Sequence, residues 1–274
     1  MRVSVAIQGD IASFHHIAAN KYFEGDIDII SCNTFSDTFV SLKKDECDFA
    51  ICAIENSLFG SINETYDLLV KHKFNIVGEV YLRIKQCLIV NPGTVKKDIK
   101  TIYSHPVAFA QCEDYLDFNF PKAKKLEYHD TAASVKMIRR DKSKAAIASI
   151  ESAKLYKMDI FAKEIETNKK NYTRFIVLDK SRKVYKSANK TSLIIRTSNK
   201  PASLYKALKV FADRSINLSK LQSRPIIGKA WHYMFYVDVQ AGINDSSMKE
   251  AIDELVDQKC EVLVLGSYVS ANKL

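Results

Sequence analysis

The sequence lacks the cysteine and histidine patterns that hold metal ions. Its six cysteines stand at positions 32, 47, 52, 87, 112 and 260, with no Cys-x-x-Cys pair and no histidine cluster near them. Structural zinc sites need closely spaced ligands, so this spacing predicts no metal site. Three of the cysteines, Cys52, Cys87 and Cys260, lie inside apolar runs, and we interpret them as buried, reduced thiols of a cytosolic protein.

Long apolar runs are missing as well. No stretch reaches the length of a membrane-spanning helix, and the start, Met1–Ile7, is a short strand-like run without the features of a signal peptide. The sequence therefore predicts a cytoplasmic protein without a membrane partner. Its 274 residues are many for one domain and sufficient for two.

The charge balance is basic, but no nucleic-acid-binding motif accompanies it. The formal net charge is +9 and the pI is near 9.1, which favours an acidic partner such as nucleic acid, a membrane surface or a small anionic substrate. The densest basic run, residues 180–190, looks like a solvated linker. Neither an arginine-aromatic array nor a recognition helix is visible, so the pattern argues against nucleic acid.

Polar side chains lie at two junctions with apolar, strand-like runs. Asn171–Phe175 (Asn-Tyr-Thr-Arg-Phe) leads into the run 176–178, and Ile54–Ser57 (Ile-Glu-Asn-Ser) follows the run 49–53. Ligands bind at the carboxyl ends of strands in open α/β sheets, so the two junctions predict a shared cleft. Side chains alternate along a strand, so residues 173 and 174 can serve one site only if the backbone bends there.

The first loop, residues 8–13, leads from a strand into a helix start, where free backbone N–H groups can bind an anion. His15 and His16 follow it. Adjacent helical residues diverge by about 100° and cannot easily ligate one ion, so we interpret one histidine as packed and the other as solvated.

Strand and helix signals alternate along the chain up to residue 179, which is typical of two α/β lobes with a cleft between them. The lobes would comprise about 1–78 with 168–179, and 79–167. After the basic linker 180–190, the signals of 191–274 follow the order β-α-β-β-α-β of a ferredoxin-like domain, with a last strand over 262–265.

Together these motifs resemble those of the prephenate dehydratases over nearly the whole chain. The resemblance is carried by five segments: 54–57 with Gly60 and Ser61, 104–106 (Ser-His-Pro), 110–112 (Ala-Gln-Cys), 145–148 (Ala-Ala-Ile-Ala) and, above all, 171–175. Three later segments are similar to the ACT regulatory domain of that family: 214–218 (Arg-Ser-Ile-Asn-Leu), 223–225 (Ser-Arg-Pro) and 265–268 (Leu-Gly-Ser-Tyr).

The resemblance implies a two-lobed catalytic domain similar to periplasmic binding proteins, spanning residues 1–179. It further implies an ACT domain at 191–274 that senses phenylalanine, in a homodimer or homotetramer. The implied reaction is the loss of a ring hydroxyl and carbon dioxide from prephenate, which yields phenylpyruvate. Aromatisation supplies the driving force, so no metal or cofactor is expected.

The resemblance also implies catalytic roles. Thr173 would donate a proton or a strong hydrogen bond to the departing hydroxyl. Arg174 would bind a carboxylate in a bidentate fork, and Phe175 would pack against the ring. Asn56 and Ser57 are neutral donors suited to the other carboxylate or the keto oxygen.

Four further residues belong to the implied substrate site. The loop at Ser13 would add donors to it, and Asn171 opens the motif that carries the catalytic residues. Glu55 would repel a dianion, so we expect it to hold its loop instead. His105 precedes a proline at a helix start, where it would face the cleft.

The implied effector site departs from the family pattern. Its candidate residues are Ala202, Ser203, Leu204, Asn217, Leu218, Gln222, Ser223, Arg224 and Pro225. Ala202 replaces a glycine that permits close ligand approach. Gln222 replaces a glutamate whose negative charge could pair with the amino group of a ligand. We therefore predict weak phenylalanine binding.

The N-terminal loop also departs from the family pattern, since Ala12 replaces a usual glycine and His15 a usual serine.

Three alternatives stay open. The same reaction could act on arogenate, which carries an amino group in place of the keto oxygen of prephenate. The chain could instead be a non-catalytic module that binds an anionic metabolite. Nucleic-acid binding driven by charge would give steep salt dependence, and no motif favours it.

Overall fold

The computed structural model describes residues 2–181 and 186–271. The chain divides into two compact units: Met1–Tyr66 with Val80–Phe175, and Asp67–Glu79 with Ile176–Leu274. Part of the predicted basic linker, residues 182–185, and the last three residues of the predicted ACT domain lie outside the described residues. The predicted domain limits stay a prediction.

The described residues form fifteen strands. They are β1 (Val3–Gln8), β2 (Ile27–Cys32), β3 (Phe49–Asn56), β4 (Gly60–Ser61), β5 (Asn75–Arg83), β6 (Cys87–Val90), β7 (Thr101–Ser104), β8 (Lys124–Glu127), β9 (Lys144–Ala148), β10 (Asp159–Ala162), β11 (Tyr172–Asp179), β12 (Lys190–Arg196), β13 (Leu218–Pro225), β14 (Tyr233–Val239) and β15 (Glu261–Tyr268).

The same part of the chain forms nine α-helices and a short 3-10 turn at Lys96–Asp98. The helices are α1 (Phe14–Phe23), α2 (Phe35–Lys43), α3 (Asn63–His72), α4 (Pro106–Gln111), α5 (Glu113–Asn119), α6 (Thr131–Met137), α7 (Ile150–Tyr156), α8 (Ser203–Ala212) and α9 (Ser246–Asp257).

The strands join into three sheets, with orders β2-β1-β3-β11-β5, β10-β6-β9-β7-β8 and β13-β14-β12-β15; β4 pairs with β3. In the first sheet β1 is parallel to both β2 and β3. The run Ala50–Ile54 is buried throughout, as expected for a central strand of a sheet that is covered on both faces.

Helix α2 of the first unit shows how local sequence sets an element. Thr34 accepts a hydrogen bond from the Asp37 backbone N–H (3.0 Å), and the Asp37 carboxylate accepts from the Thr34 N–H (3.1 Å). This capping box starts the helix, and Phe39 and Leu42 are fully buried on one face.

The second sheet separates two apolar cores by strand alternation. Along β6, Leu88 and Val90 pack into one core, whereas Cys87 and Ile89 pack into the other. Because successive side chains point to opposite faces, one short apolar run contributes to both cores.

The third sheet carries α8 and α9 on one face. Leu193 and Val237 of the sheet share a buried core with Phe211 of α8 and Leu255 of α9. All of its recorded strand pairs are antiparallel, and the order of its strands confirms the predicted ferredoxin-like arrangement.

A buried ion pair lies in this second unit. Lys190 Nζ donates to both carboxylate oxygens of Glu79 (3.1 and 2.8 Å), and both side chains are almost fully buried. Lys190 was predicted to end the linker, but it begins β12. The pair fixes the strand to the segment 67–79 of the same unit.

The α/β fold class is confirmed. All six cysteines are free; Cys52 and Cys87 are buried, and Cys260 is half-buried. None of the helices within residues 2–181 and 186–271 is long and apolar enough to cross a membrane.

Candidate active site

A cavity of about 300 Å³ lies in the first unit. Gln8 at the end of β1 and Asn56 at the end of β3 line it, as does Thr173 of β11. The starts of helices α1, α4 and α6 contribute as well. The parallel strands β1 and β3 both end at this cavity, whereas Thr173 lies at the start of β11. The two polar junctions therefore meet here as predicted.

The Asn56 amide is held in one orientation. Its Oδ1 accepts from the backbone N–H groups of Leu58 (2.9 Å) and Phe59 (3.0 Å). Because two backbone donors occupy this atom, the other amide atom must be the Nδ2 donor. That nitrogen donates to Thr173 Oγ1 at 3.0 Å and to Asn171 Oδ1 at 2.8 Å.

The Thr173 hydroxyl thus accepts a hydrogen bond from a fixed donor. A hydroxyl that accepts from an amide keeps its own proton for another partner. Thr173 is nearly buried and lines the cavity, so a molecule bound there is in place to receive that proton. Asn56 therefore lines the cavity and also orients the hydroxyl of Thr173, the catalytic candidate.

Asn171 and Ser57 stabilise the positions of Asn56 and Thr173. Asn171 is fully buried, and its backbone carbonyl accepts from the Ile84 N–H (2.8 Å). The Ser57 hydroxyl donates to the Lys170 carbonyl and accepts from the Tyr172 N–H, each at 2.9 Å. Neither residue is among the described residues that line the cavity.

Strand alternation separates Arg174 from its neighbours. Thr173 and Phe175 line the cavity, whereas Arg174 is not among the lining residues of the described chain. Its Nη1 lies 3.9 Å from Glu55 Oε2, and only 4% of the side chain is exposed. Strand β11 continues unbroken through these positions, so the bend that a shared site would require does not occur.

Ser13 starts α1 at the edge of the cavity. Its Oγ accepts from the His16 N–H (3.3 Å), which is an N-cap, and its side chain is 2% exposed. The preceding residue, Ala12, has φ of 72°, and its carbonyl accepts from the hydroxyls of Ser149 (2.7 Å) and Ser152 (3.1 Å). These bonds hold the loop in the left-handed conformation.

His15 is buried in the cavity wall. Its Nε2 accepts from the Ala53 N–H (3.2 Å), so the proton of the neutral ring resides on Nδ1. The ring meets Phe35 and Phe175 edge to face, with centroids 5.5 and 5.0 Å apart. Burial lowers the pKa of His15 to about 3, and the ring is therefore neutral.

His105 is the N-cap residue of α4, as its place before Pro106 predicted. Its Nδ1 accepts from the Val107 N–H (3.2 Å), and burial lowers the pKa of His105. The side chain also lines the cavity.

Asp130, which is not among the predicted site residues, also lines the cavity. Its Oδ1 caps α6 by accepting from the Ala133 N–H (2.8 Å). Burial raises the pKa of Asp130, and the nearby charge of Asp10 adds to the effect. Beside it, Gln86 Nε2 donates to Gln111 Oε1 (3.0 Å) in the same wall.

Comparisons with known proteins place this geometry in a family. The family model described as prephenate dehydratase matches residues 5–183. The chain belongs to the prephenate dehydratase family. Its enzymes are hydro-lyases, which confirms the predicted reaction class.

Two relatives of the prephenate dehydratase family show high coverage. The bifunctional chorismate mutase/prephenate dehydratase of Aquifex aeolicus (strain VF5) is 33% identical over 270 residues, covering 98% of this chain and 74% of the relative. An arogenate dehydratase/prephenate dehydratase of Arabidopsis thaliana, described as chloroplastic, is 37% identical over 281 residues, covering 97% and 73%.

A solved prephenate dehydratase has the same fold. The structure of the Arthrobacter aurescens enzyme in complex with L-phenylalanine matches with a TM-score of 0.88 and 28% identity. The match covers 97% of this chain and 90% of that one.

The predicted effector residues of this prephenate dehydratase homologue all lie in the second unit. Ala202 is the N-cap residue of α8 and has φ of 63°, so an alanine occupies a left-handed position. Leu218 through Pro225 form β13, and Arg224 Nη2 donates to Asp67 Oδ2 (2.7 Å). Gln222 is half-buried and donates to the Ser223 carbonyl (3.2 Å).

Five of the nine predicted catalytic and substrate residues line the cavity: Ser13, Asn56, His105, Thr173 and Phe175. The other four are Glu55, Ser57, Asn171 and Arg174. Sequence reasoning missed His15, Gln86, Gln111 and Asp130 as cavity residues. The argument applied to residues 8–13, that a loop leading from a strand into a helix start can bind a ligand, would also have selected Asp130.

Proposed function

We propose that this protein converts prephenate to phenylpyruvate, with Thr173 as the group that assists departure of the ring hydroxyl. Overall, the prephenate dianion and one proton yield phenylpyruvate, carbon dioxide and water. The carbon-carbon bond to the ring carboxylate breaks, and its electron pair enters the ring. The carbon-oxygen bond breaks with its electrons on oxygen, which takes up the proton.

The proposal is carried by the hydrogen bond from Asn56 Nδ2 to Thr173 Oγ1 at 3.0 Å. As the carbon-oxygen bond lengthens, negative charge grows on the departing oxygen. A hydroxyl polarised by an amide donor stabilises that charge better than an unassisted hydroxyl. Threonine is a weak acid, so we propose strong hydrogen bonding with proton delivery late in the step.

Neutral donors would hold the two carboxylates of the substrate. The N-terminus of α1, beginning at Phe14, exposes backbone N–H groups and carries partial positive charge toward the cavity. We assign His15 Nδ1–H a role among these donors. A carboxylate placed here meets donors that do not need to change their protonation state.

The rings in the wall would contact the cyclohexadiene. Phe175 lines the cavity beside Phe35 and Phe59, which supports its predicted role of packing against the substrate ring. The apolar part of the wall would also limit the access of water to the departing carbon dioxide and hydroxyl.

The predicted carboxylate fork of Arg174 stays a prediction that this geometry does not support. The ion pair with Glu55 instead favours a role in holding β3 against β11, which keeps Asn56 and Thr173 within hydrogen-bond distance. For Ser57 and Asn171 we likewise favour positioning over substrate contact.

We also propose that the ferredoxin-like part is an ACT domain that binds L-phenylalanine as a feedback effector. The L-phenylalanine complex of the Arthrobacter aurescens enzyme supports this proposal. Phenylalanine is one transamination from phenylpyruvate, so it reports the output of the reaction. A homodimer or homotetramer in the cytoplasm is part of the same proposal, and the free thiols agree with a reducing compartment.

The test follows formation of phenylpyruvate from prephenate by its absorbance in alkali. Replacement of Thr173 by alanine is expected to lower kcat by roughly 100- to 10,000-fold, the usual worth of general acid assistance. KM should change little, because the interaction grows in the transition state. Thr173→Ser, which retains a hydroxyl, should recover much of the loss.

The matched control is Thr38→Ala, another buried threonine of the first unit that does not line the cavity. It should retain near-normal kcat. An effect of Thr173→Ala confined to KM would refute the acid role, and absence of turnover by the folded parent protein would refute the proposed function. In that case arogenate is the next substrate to test, and a non-catalytic module for an anionic metabolite becomes the better explanation if arogenate is not turned over either.

A further inference from the structure

The charges of the cavity wall do not match a dianion. Within the described residues, neither lysine nor arginine lines the cavity, although the chain holds 41 of these residues. Asp130 is the only aspartate or glutamate in that lining. A substrate with two carboxylates therefore enters a wall whose single fixed carboxylate repels it.

Asp130 is held firmly in this place. Its Oδ1 accepts from the Ala133 N–H at 2.8 Å, and the residue is 8% exposed. Its Oδ2 lies against Gly9, where a Cβ atom would come within 2.7 Å of that oxygen. Gly9 has φ of 94°, so glycine serves both the turn and the space that the carboxylate needs.

Among the described residues that line the cavity, the only side chains beside Asp130 that can carry positive charge are two histidines. Burial lowers the pKa of His105, which favours its neutral form, whereas positive charge on His129 lowers the pKa of Asp130 by less than burial raises it. Asp10 and Glu127 bring further negative charge to this region. Burial raises the pKa of Asp130 accordingly, and an ammonium group in the cavity would relieve this unfavourable environment.

We infer that Asp130 is a specificity-determining residue that favours a substrate bearing an ammonium group over its keto counterpart. The inference rests on the proposed dehydratase function. Arogenate differs from prephenate by an amino group in place of the keto oxygen, so it brings one positive charge into the cavity. Its ammonium can donate to the Asp130 carboxylate, whereas the keto oxygen of prephenate cannot.

A purely structural role for Asp130 makes a different prediction. As an N-cap, aspartate can be replaced by asparagine with little loss, because both side chains accept from the helix N–H groups. Asp130→Asn therefore retains the cap and removes the charge. Asp130→Ser, which also caps, provides a second variant of smaller volume.

The experiment measures kcat/KM for prephenate and for arogenate with the full-length parent chain and both variants. Asp130→Asn should lower the arogenate-to-prephenate ratio by roughly 10- to 100-fold, the range expected when a hydrogen bond to a charged group is lost. Part of that change should be a rise in kcat/KM for prephenate. Asp130→Ser should shift the ratio in the same direction.

The matched control is Asp10→Asn, which removes a neighbouring carboxylate that does not line the cavity. The arogenate-to-prephenate ratio of kcat/KM in Asp10→Asn should differ from that of the parent chain by less than threefold. An equal fall of both activities in Asp130→Asn and Asp130→Ser would show a capping role alone and overturn the inference. An unchanged ratio would overturn it as well.

Failure of the proposed function would look different. A parent chain that turns over neither substrate refutes the dehydratase proposal, and the specificity inference falls with it. A parent chain that is active on prephenate, but whose ratio does not move in the variants, refutes the inference alone.

Discussion

The packing of His15 could be predicted from sequence, but the position of its ring proton could not. Adjacent histidines invite a metal or general-base interpretation, and the expectation of one packed and one solvated ring came from helix geometry. His15 is indeed packed, and His16 is half-buried, with its Nδ1 accepting from the Ala12 N–H at 2.9 Å. What sequence alone could not reveal is the Ala53 N–H that fixes the tautomer of His15 and turns its ring into a donor.

The donor role assigned to His15 Nδ1–H can be tested by substitutions at position 15. Asparagine and leucine have nearly the same shape, but only asparagine can present an N–H where the Nδ1–H of histidine lies. We expect His15→Leu to have a kcat/KM for prephenate about 5- to 10-fold below that of His15→Asn, which is the worth of one ordinary hydrogen bond. Equal kcat/KM values for the two variants would rule out the donor role.

Thr173 and Asn56 could be selected from sequence because both lie at strand junctions. The hydrogen bond between them could not be predicted. The notion that Asn56 contacts substrate came from its chemistry as a neutral donor, yet its two amide atoms are occupied by Leu58, Phe59, Asn171 and Thr173. Spacing along the chain carries no information on which residues 117 positions apart will bond.

Helix α8 begins at a residue with a strained backbone. Its N-cap, Ala202, has φ of 63° and no side-chain capping bond. An L-residue in this conformation costs about 1–2 kcal/mol relative to glycine, offset in part by the greater freedom of glycine in the unfolded chain. Ala202→Gly should therefore raise the free energy of unfolding by up to about 1 kcal/mol, as measured by urea denaturation.

The same substitution should strengthen phenylalanine binding, which a calorimetric titration would detect. Ala212→Gly is the matched control, since it makes the same change at the other end of α8 in helical conformation and should lower stability by about 0.5–1 kcal/mol. Tight phenylalanine binding by the unmodified chain, or no gain in Ala202→Gly, would contradict the prediction.

Element order was predictable, and element ends were less so. The alternating pattern predicted a last strand over 262–265, whereas β15 continues to Tyr268. The extension was not predicted because it begins at Gly266, and glycine is usually unfavourable within strands. Here a Cβ atom would come within 2.1 Å of the Ile76 carbonyl oxygen, so the glycine permits a close backbone approach that pattern analysis cannot anticipate.

At the scale of the whole molecule, charge illustrates what composition can and cannot predict. The net charge of +9 favoured an anionic partner, and the family assignment agrees with an anionic substrate. Composition did not reveal that the lysine and arginine residues of the described chain lie outside the cavity lining. Only the fold decides which charges face a ligand, and here a molecule in the cavity would face helix starts, amides, histidines and one carboxylate.

The buried histidines should make the whole protein sensitive to acid. His15 has a folded-state pKa of about 3 and an unfolded value near 6.5, so the unfolded chain binds a proton first as pH falls. Its contribution to stability is present above pH 6.5 and is lost as pH falls toward 3. Each pH unit in this window costs about 1.4 kcal/mol, and burial shifts His16 and His105 in the same direction.

Urea denaturation at pH 7 and pH 5 would measure this effect. Between these values His15 alone should lower the free energy of unfolding by about 2 kcal/mol, the amount expected for 1.5 pH units below its unfolded pKa. His15→Leu removes the titrating group, so its stability should fall by about 2 kcal/mol less over the same interval, even though its stability at pH 7 is reduced by loss of the bond to Ala53. Equal pH dependence in the two proteins would mean that His15 is protonated in the folded state, and it would remove the basis for treating its ring as a neutral donor to substrate.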